Sequence, residues 1–388
     1  MRKEIQNKKI AIIGGHLTPA LAVLNELKAQ GFDDIIWIGT KYAQTRNKNV
    51  SLEYQIVQKT NTPFITLKAG KLWRKYTLRT IIPALQNLIL IPYGFIKSLQ
   101  VLTKHKPAIV VSFGGHLALP VVFIAKMIGI KSITHEQTVV LGLTNKLISK
   151  FANTVCVSWE NSLKFFPKEK SVYTGLPIRE ELFPKTHKTK YFQNDLPFLL
   201  VVGGNQGSNT INWRLLKILP DLLKITNVVH LTGNSTLTHD YRKAIETKSK
   251  LGNELANRYV VKENAYFEEY ANYLNSADIV LSRAGANAVS ELLLHGKLSV
   301  LIPIPWASNN EQLKNAKMLE ETGLGLVIEQ YDEMPPIEIF NALNKVLNAY
   351  NKNEDLLGNS LSSAREKSKS YIKLDATKNI VEEIKKLL

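Results

Sequence analysis

Short apolar runs alternate with longer segments of helical spacing along the whole chain. In the first half the runs are Ile10–Ile13, Ile35–Ile38, Ile109–Ser112, Ser132–His135 and Thr154–Val157. In the second they are Leu199–Val202, Asn227–Leu231, Arg258–Val261, Ile279–Ser282, Val300–Pro303 and Gly325–Ile328. Short runs that are apolar on both faces, separated by helical patterns such as Pro19 to Gln30, predict βα units and a parallel sheet. The series restarts after a polar stretch, Pro184-Lys185-Thr186-His187-Lys188-Thr189-Lys190, which reads as an interdomain linker. The expected organisation is α/β, with two doubly wound Rossmann-like domains at 1–183 and 192–371. A charge-laced helix at about 372–388 is expected to return to the first domain.

Glycine turns sharpen this picture. Ile10–Ile13 runs into Gly14-Gly15-His16, and Ala108–Val111 into Ser112-Phe113-Gly114-Gly115-His116. Phe198–Val202 runs into Gly203-Gly204-Asn205-Gln206-Gly207-Ser208. Asp278–Leu281 runs into Ser282-Arg283-Ala284-Gly285-Ala286, then a short helical pattern that His295-Gly296 stops. Open α/β sheets bind ligands at the carboxyl ends of their strands. A helix beginning at a glycine turn presents free N–H groups and a positive dipole end, which suits a diphosphate. Glu291, about one turn into the last of these helices, can accept hydrogen bonds from a ribose diol. With two such turns in each half, the pattern predicts two domains facing one cleft.

Length and composition agree with two full cores: 388 residues, 45% of them hydrophobic. No apolar run of about 18 or more residues occurs, so no membrane span is expected. The residues Met1 to Lys9 are too polar for a secretory signal. The single cysteine, Cys156, lies in an apolar run, fits a reducing compartment, and is expected to be buried rather than catalytic.

The net charge of +17 is unevenly spread, with no Asp or Glu between Glu53 and Glu136. That stretch carries Lys68, Lys71, Arg74, Lys75, Arg79, Lys97, Lys104 and Lys106 among Leu72, Trp73, Tyr76, Ile81, Leu88, Ile89, Tyr93 and Phe95. Cationic side chains beside exposed aromatics and aliphatics suit an anionic membrane surface. The alternative is a basic helix packed by its apolar side into the domain. No helix-turn-helix, zinc-finger or RNP-like pattern supports nucleic acid. Pro83 and Pro92 predict broken helices here.

Several chemistries are disfavoured. There is no G-x-x-x-x-G-K-[ST] loop, no G-x-G-x-x-G after a first strand, and no Cys/His cluster for zinc. No Asp-x-Asp pair occurs, which argues against the metal-bound nucleotide-sugar site of the other common glycosyltransferase architecture. Glycine turns suited to phosphates, without a metal motif, point to metal-independent transfer from a nucleotide sugar with no cofactor required, helix dipoles and backbone N–H groups stabilising the leaving diphosphate.

In this context the motifs resemble those of the MurG family, the UDP-N-acetylglucosamine:lipid I N-acetylglucosaminyltransferases that form lipid II in peptidoglycan synthesis. The resemblance runs in order through Gly14-Gly15-His16-x-x-Pro19-Ala20-Leu21-Ala22-Val23, Gly114-Gly115, His135-Glu136-Gln137, Gly142-Leu143-Thr144-Asn145-Lys146 and Gly175-x-Pro177-Ile178-Arg179. It continues through Gly203-Gly204-x-Gln206-Gly207-Ser208, Arg283-x-Gly285-Ala286-x-x-Val289-Ser290-Glu291 and Gln312-x-x-Asn315-Ala316.

The resemblance implies a GT-B fold, an inverting reaction, UDP-GlcNAc as donor and an undecaprenyl-linked lipid acceptor. It also implies a peripheral place on the cytoplasmic face of the membrane. By it, Glu291 holds the donor ribose; Ala286, Asn287, Ala288, Val289 and Ser290 line the diphosphate; Gln312 contacts the GlcNAc hydroxyls; and the Phe267 backbone contacts uracil. Arg179, Asn205 and Gln206 match further donor positions, and Gly14, Gly15, Gly114, Gly115 and Thr138 fall on the acceptor side. His16 is chemically suited to take the proton of the attacking hydroxyl, and also to orient phosphate only. His135 and Glu136 can form or support the base instead.

The chain departs from the family pattern in places. Ile13 meets Gly14 directly, where the family has a longer loop with Gly-Gly-Thr before Gly-Gly-His. Thr138, Asn205, Leu176 and His116 replace an Asn, a Ser, an Asn and a Tyr of that pattern. Other readings of the same motifs are a transferase with another lipid acceptor, a sugar-nucleotide 2-epimerase, and a non-catalytic nucleotide- or lipid-binding paralogue.

Overall fold

The computed structural model describes residues 5–42, 50–70, 81–204 and 206–388, with the backbone alone over 81–87. The chain divides into two compact units, Met1–Arg179 with Lys373–Leu388, and Glu180–Ile372. The break thus falls at Arg179, where the family-like Gly175–Arg179 segment ends.

Among the described residues the first unit holds seven strands: β1 (Ile10–Ile13), β2 (Ile35–Gly39), β3 (Phe64–Thr66), β4 (Ile109–Ser112), β5 (Lys131–Glu136), β6 (Thr154–Val157) and β7 (Ser171–Tyr173). They form one sheet in the order β3-β2-β1-β4-β5-β6-β7, and every neighbouring pair is parallel. Its helices are α1 (Leu17–Ala29), α2 (Leu52–Lys59), α3 (Ile81–His105), α4 (Ala118–Met127) and α5 (Leu143–Phe151). β1, β4 and β6 are buried along their whole length, as expected for parallel strands covered on both faces. Cys156 lies in β6, fully buried, and burial pushes its thiol pKa up.

The second unit has β8 (Phe198–Val202), β9 (Asn227–Leu231), β10 (Tyr259–Lys262), β11 (Ile279–Ser282), β12 (Leu298–Leu301) and β13 (Gly325–Val327). The order is β10-β9-β8-β11-β12-β13, again all parallel. The helices that follow these strands are α6 (Asn209–Leu222), α7 (Asp240–Lys248), α8 (Asn253–Asn257), α9 (Glu268–Ser276), α10 (Ala286–His295), α11 (Glu311–Glu320), α12 (Pro336–Asn351) and α13 (Leu361–Ser370).

In each sheet the strand order reverses once, between β1 and β4 and between β8 and β11. The crevice at such a switch point is where doubly wound sheets bind ligands. All four glycine turns read from the sequence leave these four strands.

The last helix, α14 (Ala376–Leu387), packs on α1 of the first unit and buries Ile380, Val381 and Ile384 completely. Lys373 Nζ donates to the Tyr173 carbonyl at 2.8 Å and Asn379 Nδ2 to that of Thr174 at 3.3 Å.

Two expectations are corrected. Residues 184–190 are not a free linker but a strap bonded to the second unit. Lys185 N donates to Asn275 Oδ1 at 3.0 Å, Asn275 Nδ2 to the His187 carbonyl at 2.9 Å, and Thr189 N to Ser276 Oγ at 2.9 Å. Lys188 pairs with Asp278 at 3.0 Å. Nor do the prolines break α3. Pro83 falls in its first turn, where no N–H partner is required, and Pro92 is exposed, so the carbonyl it leaves unpaired, that of exposed Leu88, can face water.

Candidate functional site

In the first unit the two switch-point turns touch backbone to backbone. A Cβ on Gly15 would lie 2.0 Å from the Gly114 carbonyl oxygen, and one on Gly115 would lie 3.0 Å from Gly15 Cα. Gly114 and Gly115 also take φ of +77° and +80°, which other residues adopt only with strain. Side chains are therefore excluded here for two separate reasons.

His16 caps the start of α1, and its Nδ1 lies 2.6 Å from the Phe113 carbonyl at the end of β4. A carbonyl only accepts, so Nδ1 carries the proton and Nε2 keeps the basic lone pair. Burial lowers the His16 pKa below its ordinary value; the Glu136 charge and the Phe113 carbonyl work against that shift. The ring is thus neutral near pH 7, fixed in one tautomer.

Glu136, at the end of β5, is almost fully buried. Its Oε1 accepts from Thr138 N at 3.1 Å and Thr138 Oγ1 at 2.9 Å. Its Oε2 accepts from Gly142 N at 3.2 Å and Asn145 Nδ2 at 3.0 Å. These donors organise the loop between β5 and α5 around the carboxylate. Thr138 is thereby a bracket for Glu136.

His135 is turned the other way. Its Nε2 faces the Gly175 carbonyl at 3.1 Å and Ser158 Oγ at 3.2 Å, and burial pushes its pKa down to about 4. Its ring lies 5.7 Å from that of Phe113, the residue that orients His16. Asn145 was quoted as part of a motif but given no role by the sequence. It joins the Glu136 carboxylate to the His135 carbonyl, the latter at 3.3 Å.

The second unit has a similar close approach, here between the turns after β8 and β9. A Cβ on Gly207 would lie 1.9 Å from the Thr232 carbonyl, and one on Gly233 would lie 2.1 Å from Gly207 N. Ser208 caps α6 by accepting from Ile211 N. Gly233 was missed by the sequence reading; its only signal is a glycine two residues past an apolar run. Gln206 is exposed on this turn, and Asn205 lies outside the described residues.

α10 begins at Gly285 with no side-chain cap, so its first N–H groups are open to a ligand. Ala286 to Ser290 form its first turn and a half. Among the described residues, Ser290 Oγ and Asn287 Oδ1 are buried without a protein partner. Glu291 is buried in the following turn, where Tyr270 Oη of α9 donates to its Oε2 at 2.8 Å. Tyr270 is a second residue missed by the sequence reading, and it carries no sequence signal.

Gln312 Oε1 accepts from Ile304 N at 3.1 Å, which turns the amide NH₂ outward as a donor. Asn315 Nδ2 donates to the Ala284 carbonyl at 3.1 Å, and Arg283 Nη1 to that of Ile302 at 2.8 Å, so α11 and the β12 loop are tied to the turn before α10. Phe267 precedes α9 with φ 51° and ψ −121°, a costly conformation for a residue with a side chain. Arg179, half-buried, ends the first of the two chain segments that make up the first unit.

Comparison with known proteins decides the family. Residues 13–157 match the glycosyltransferase family 28 N-terminal domain, and residues 198–374 the glycosyltransferase family 28 C-terminal domain. A UDP-N-acetylglucosamine–N-acetylmuramyl-(pentapeptide) pyrophosphoryl-undecaprenol N-acetylglucosamine transferase of Clostridium perfringens is 35% identical over 322 residues, covering 81% of this chain and 83% of that one. The chain belongs to the MurG family. A transferase of the same name from Thermoanaerobacter sp. strain X514 is 33% identical over 386 residues, 96% of this chain and 97% of that one. The crystal structure of Acinetobacter baumannii MurG superposes with a TM-score of 0.68 at 26% identity, covering 98% of this chain and 99% of that one. The two parallel-sheet units are those of a GT-B glycosyltransferase.

Proposed function

We propose that this protein transfers N-acetylglucosamine from UDP-GlcNAc to the muramyl sugar of an undecaprenyl-diphosphate-linked acceptor, giving lipid II. The observation that carries the mechanism is the His16 imidazole, held by the Phe113 carbonyl at 2.6 Å with Nε2 left as the base. Nε2 takes the proton of the acceptor hydroxyl as that oxygen attacks the anomeric carbon. The bond to the UDP oxygen breaks, and the sugar configuration inverts. Glu136 supports this step in two ways: it shapes the loop from Gln137 to Gly142, and its charge favours the imidazolium that forms.

The donor is read by the second unit. The open start of α10, with Ser290 and Asn287, takes the diphosphate and stabilises its growing charge as the sugar leaves. Glu291 accepts from the ribose hydroxyls, Gln312 donates to the sugar hydroxyls, and the Phe267 backbone meets uracil. Arg179, Asn205 and Gln206 complete the donor set, and Gly14, Gly15, Gly114 and Gly115 bring bare backbone to the acceptor diphosphate.

The assay that tests this supplies radiolabelled UDP-GlcNAc with lipid I, and separately with diacylglycerol and dolichyl-type acceptors. Label in the lipid I product alone is expected. Label in another lipid instead redirects the acceptor, and conversion of UDP-GlcNAc without any acceptor points to an epimerase.

Backbone N–H groups and a helix dipole need no metal to hold a diphosphate. UDP is therefore expected to bind in millimolar EDTA, measured by calorimetry. Binding that requires added Mg²⁺ or Mn²⁺ would show this account of the donor site to be wrong.

A lipid acceptor calls for a membrane surface. Among the described residues no helix is long and apolar enough to cross a membrane. On α3, Phe95 packs edge-on against Phe123 of α4 at 5.4 Å, while Leu88 is 58%, Ile89 73% and Ile96 57% exposed. Tyr93, Leu99 and, at the end of α4, Met127 are exposed as well. Lys97 is the described cation within this stripe, and the stretch has no acid; Trp73, Arg74, Lys75 and Arg79 lie outside the described residues.

We propose that this face inserts peripherally into an anionic cytoplasmic leaflet. The protein is expected to sediment with anionic but not zwitterionic vesicles, less so in high salt. Leu88, Ile89 and Ile96 replaced together with Gln should release it while sparing activity on a short soluble acceptor. Unchanged vesicle binding would make α3 an ordinary packed helix.

A further inference from the structure

Glu53 is a carboxylate that the mechanism above does not use, yet it lies against the catalytic turn. It stands in the first turn of α2, whose start is pinned to the end of β2. There Ser51 Oγ accepts from Tyr54 N at 3.1 Å and donates to the Thr40 carbonyl at 2.5 Å, and Ser51 N donates to the Lys41 carbonyl at 2.8 Å. From this fixed base the Glu53 side chain reaches across the carboxyl ends of β1 and β2. Its Oε1 accepts from the Trp37 indole N–H at 2.8 Å, and its Oε2 from Thr40 N at 3.2 Å. Trp37 is fully buried, and burial raises the Glu53 pKa against the pull of these bonds.

The pair forms a wall. A Cβ on Gly14 would sit 2.1 Å from Trp37 Cζ2 and 2.5 Å from Glu53 Oε1, and one on Gly39 would sit 2.6 Å from the same oxygen. On its other side the turn meets the Gly114 carbonyl. Gly14-Gly15 is therefore sandwiched between the indole–carboxylate pair and the turn after β4. Since β1 runs straight into Gly14, no further loop residue braces the turn from its own strand. His16 follows immediately, and its 2.6 Å contact with Phe113 depends on where the turn lies.

We propose that Glu53, acting through Trp37, is a positioning residue that seats the Gly14-Gly15 turn and so aims the His16 imidazole. This rests on the reading of His16 as the general base. The test compares Glu53→Ala, Glu53→Gln and Trp37→Phe in full-length protein, by steady-state kinetics and by peptide-level hydrogen exchange. Glu53→Ala is expected to lower kcat about tenfold, since small misplacements of a catalytic group are costly, with the KM for UDP-GlcNAc within about twofold, as the donor residues stand in other elements. Glu53→Gln keeps an oxygen for the indole N–H and should recover most of that loss. Exchange should quicken across 10–20 and not across 198–222.

In a His16→Ala background the Glu53→Ala change should add nothing. A wild-type kcat in Glu53→Ala overturns the proposal, as does an equal further loss in the His16→Ala background. If Glu53→Ala does not fold, wild-type rates in both Glu53→Gln and Trp37→Phe overturn it. Should His16→Ala itself keep the wild-type rate, the base reading fails, while the exchange across 10–20 still reports whether Glu53 seats the turn.

Discussion

Replacing His16 with alanine is expected to lower kcat by about two orders of magnitude or more, the usual cost of losing a general base. The KM for UDP-GlcNAc should hardly move, because His16 belongs to the first unit and the donor residues α10 and α11 to the second. The pH profile carries the sharper test. Burial lowers the His16 pKa, and only the neutral ring can take a proton. In the wild type kcat should thus rise with pH through a value below 6.5 and then level off. Glu136 opposes the lowering, so Glu136→Gln should move the acidic limb to still lower pH, even though leaving donors of the Gln137–Gly142 loop without their acceptor also slows the enzyme. An acidic limb that survives unchanged in His16→Ala would assign the base to another group.

The proposed base role separates three residues that the sequence left as alternatives. His16, His135 and Glu136 all stood as candidates, being titratable groups beside glycine-rich strand ends. What sorts them is the set of hydrogen-bond partners, and for the two histidines these come from elsewhere in the chain. The Phe113 carbonyl fixes His16 from 97 residues away. The Gly175 carbonyl claims the Nε2 of His135 from 40 residues away. Glu136 is surrounded by donors of the loop that follows it and by Asn145 of α5. A carboxylate next to a histidine reads as a base until its four donors are counted.

The glycine turns were legible because the signal is local: an apolar run, then residues without side chains. Their convergence at two switch points was not, since the pairing of β1 with β4 joins segments about a hundred residues apart. The three-residue edge strands β3 and β7, half-exposed, give no apolar run to detect. The strap at 184–190 has the composition of a free linker, and its partners Asn275 and Ser276 lie nearly ninety residues further on. Pro92 failed as a helix breaker because exposure, unseen in sequence, decides whether the carbonyl it frees can be solvated.

The second large effect is expected at Glu291. Glu291→Gln should weaken UDP and UDP-GlcNAc binding by about 2–4 kcal/mol, the loss expected when charge-assisted hydrogen bonds to a ribose diol become neutral ones with one acceptor fewer. The carboxylate is buried in the second turn of α10, and Tyr270 Oη holds its Oε2 at 2.8 Å, so its orientation is set before the donor arrives. Tyr270→Phe removes that brace but leaves the charge, and should cost only about 1 kcal/mol. The fold should survive both changes, because the surrounding core of α10, Val289, Leu292 and Leu293, is untouched. Calorimetric titration with UDP and with uridine separates the contributions. A ribose contact predicts that uridine and UDP lose affinity by the same factor, whereas a role limited to the diphosphate predicts loss for UDP alone. Wild-type affinity for both nucleotides in Glu291→Gln would remove Glu291 from the donor site.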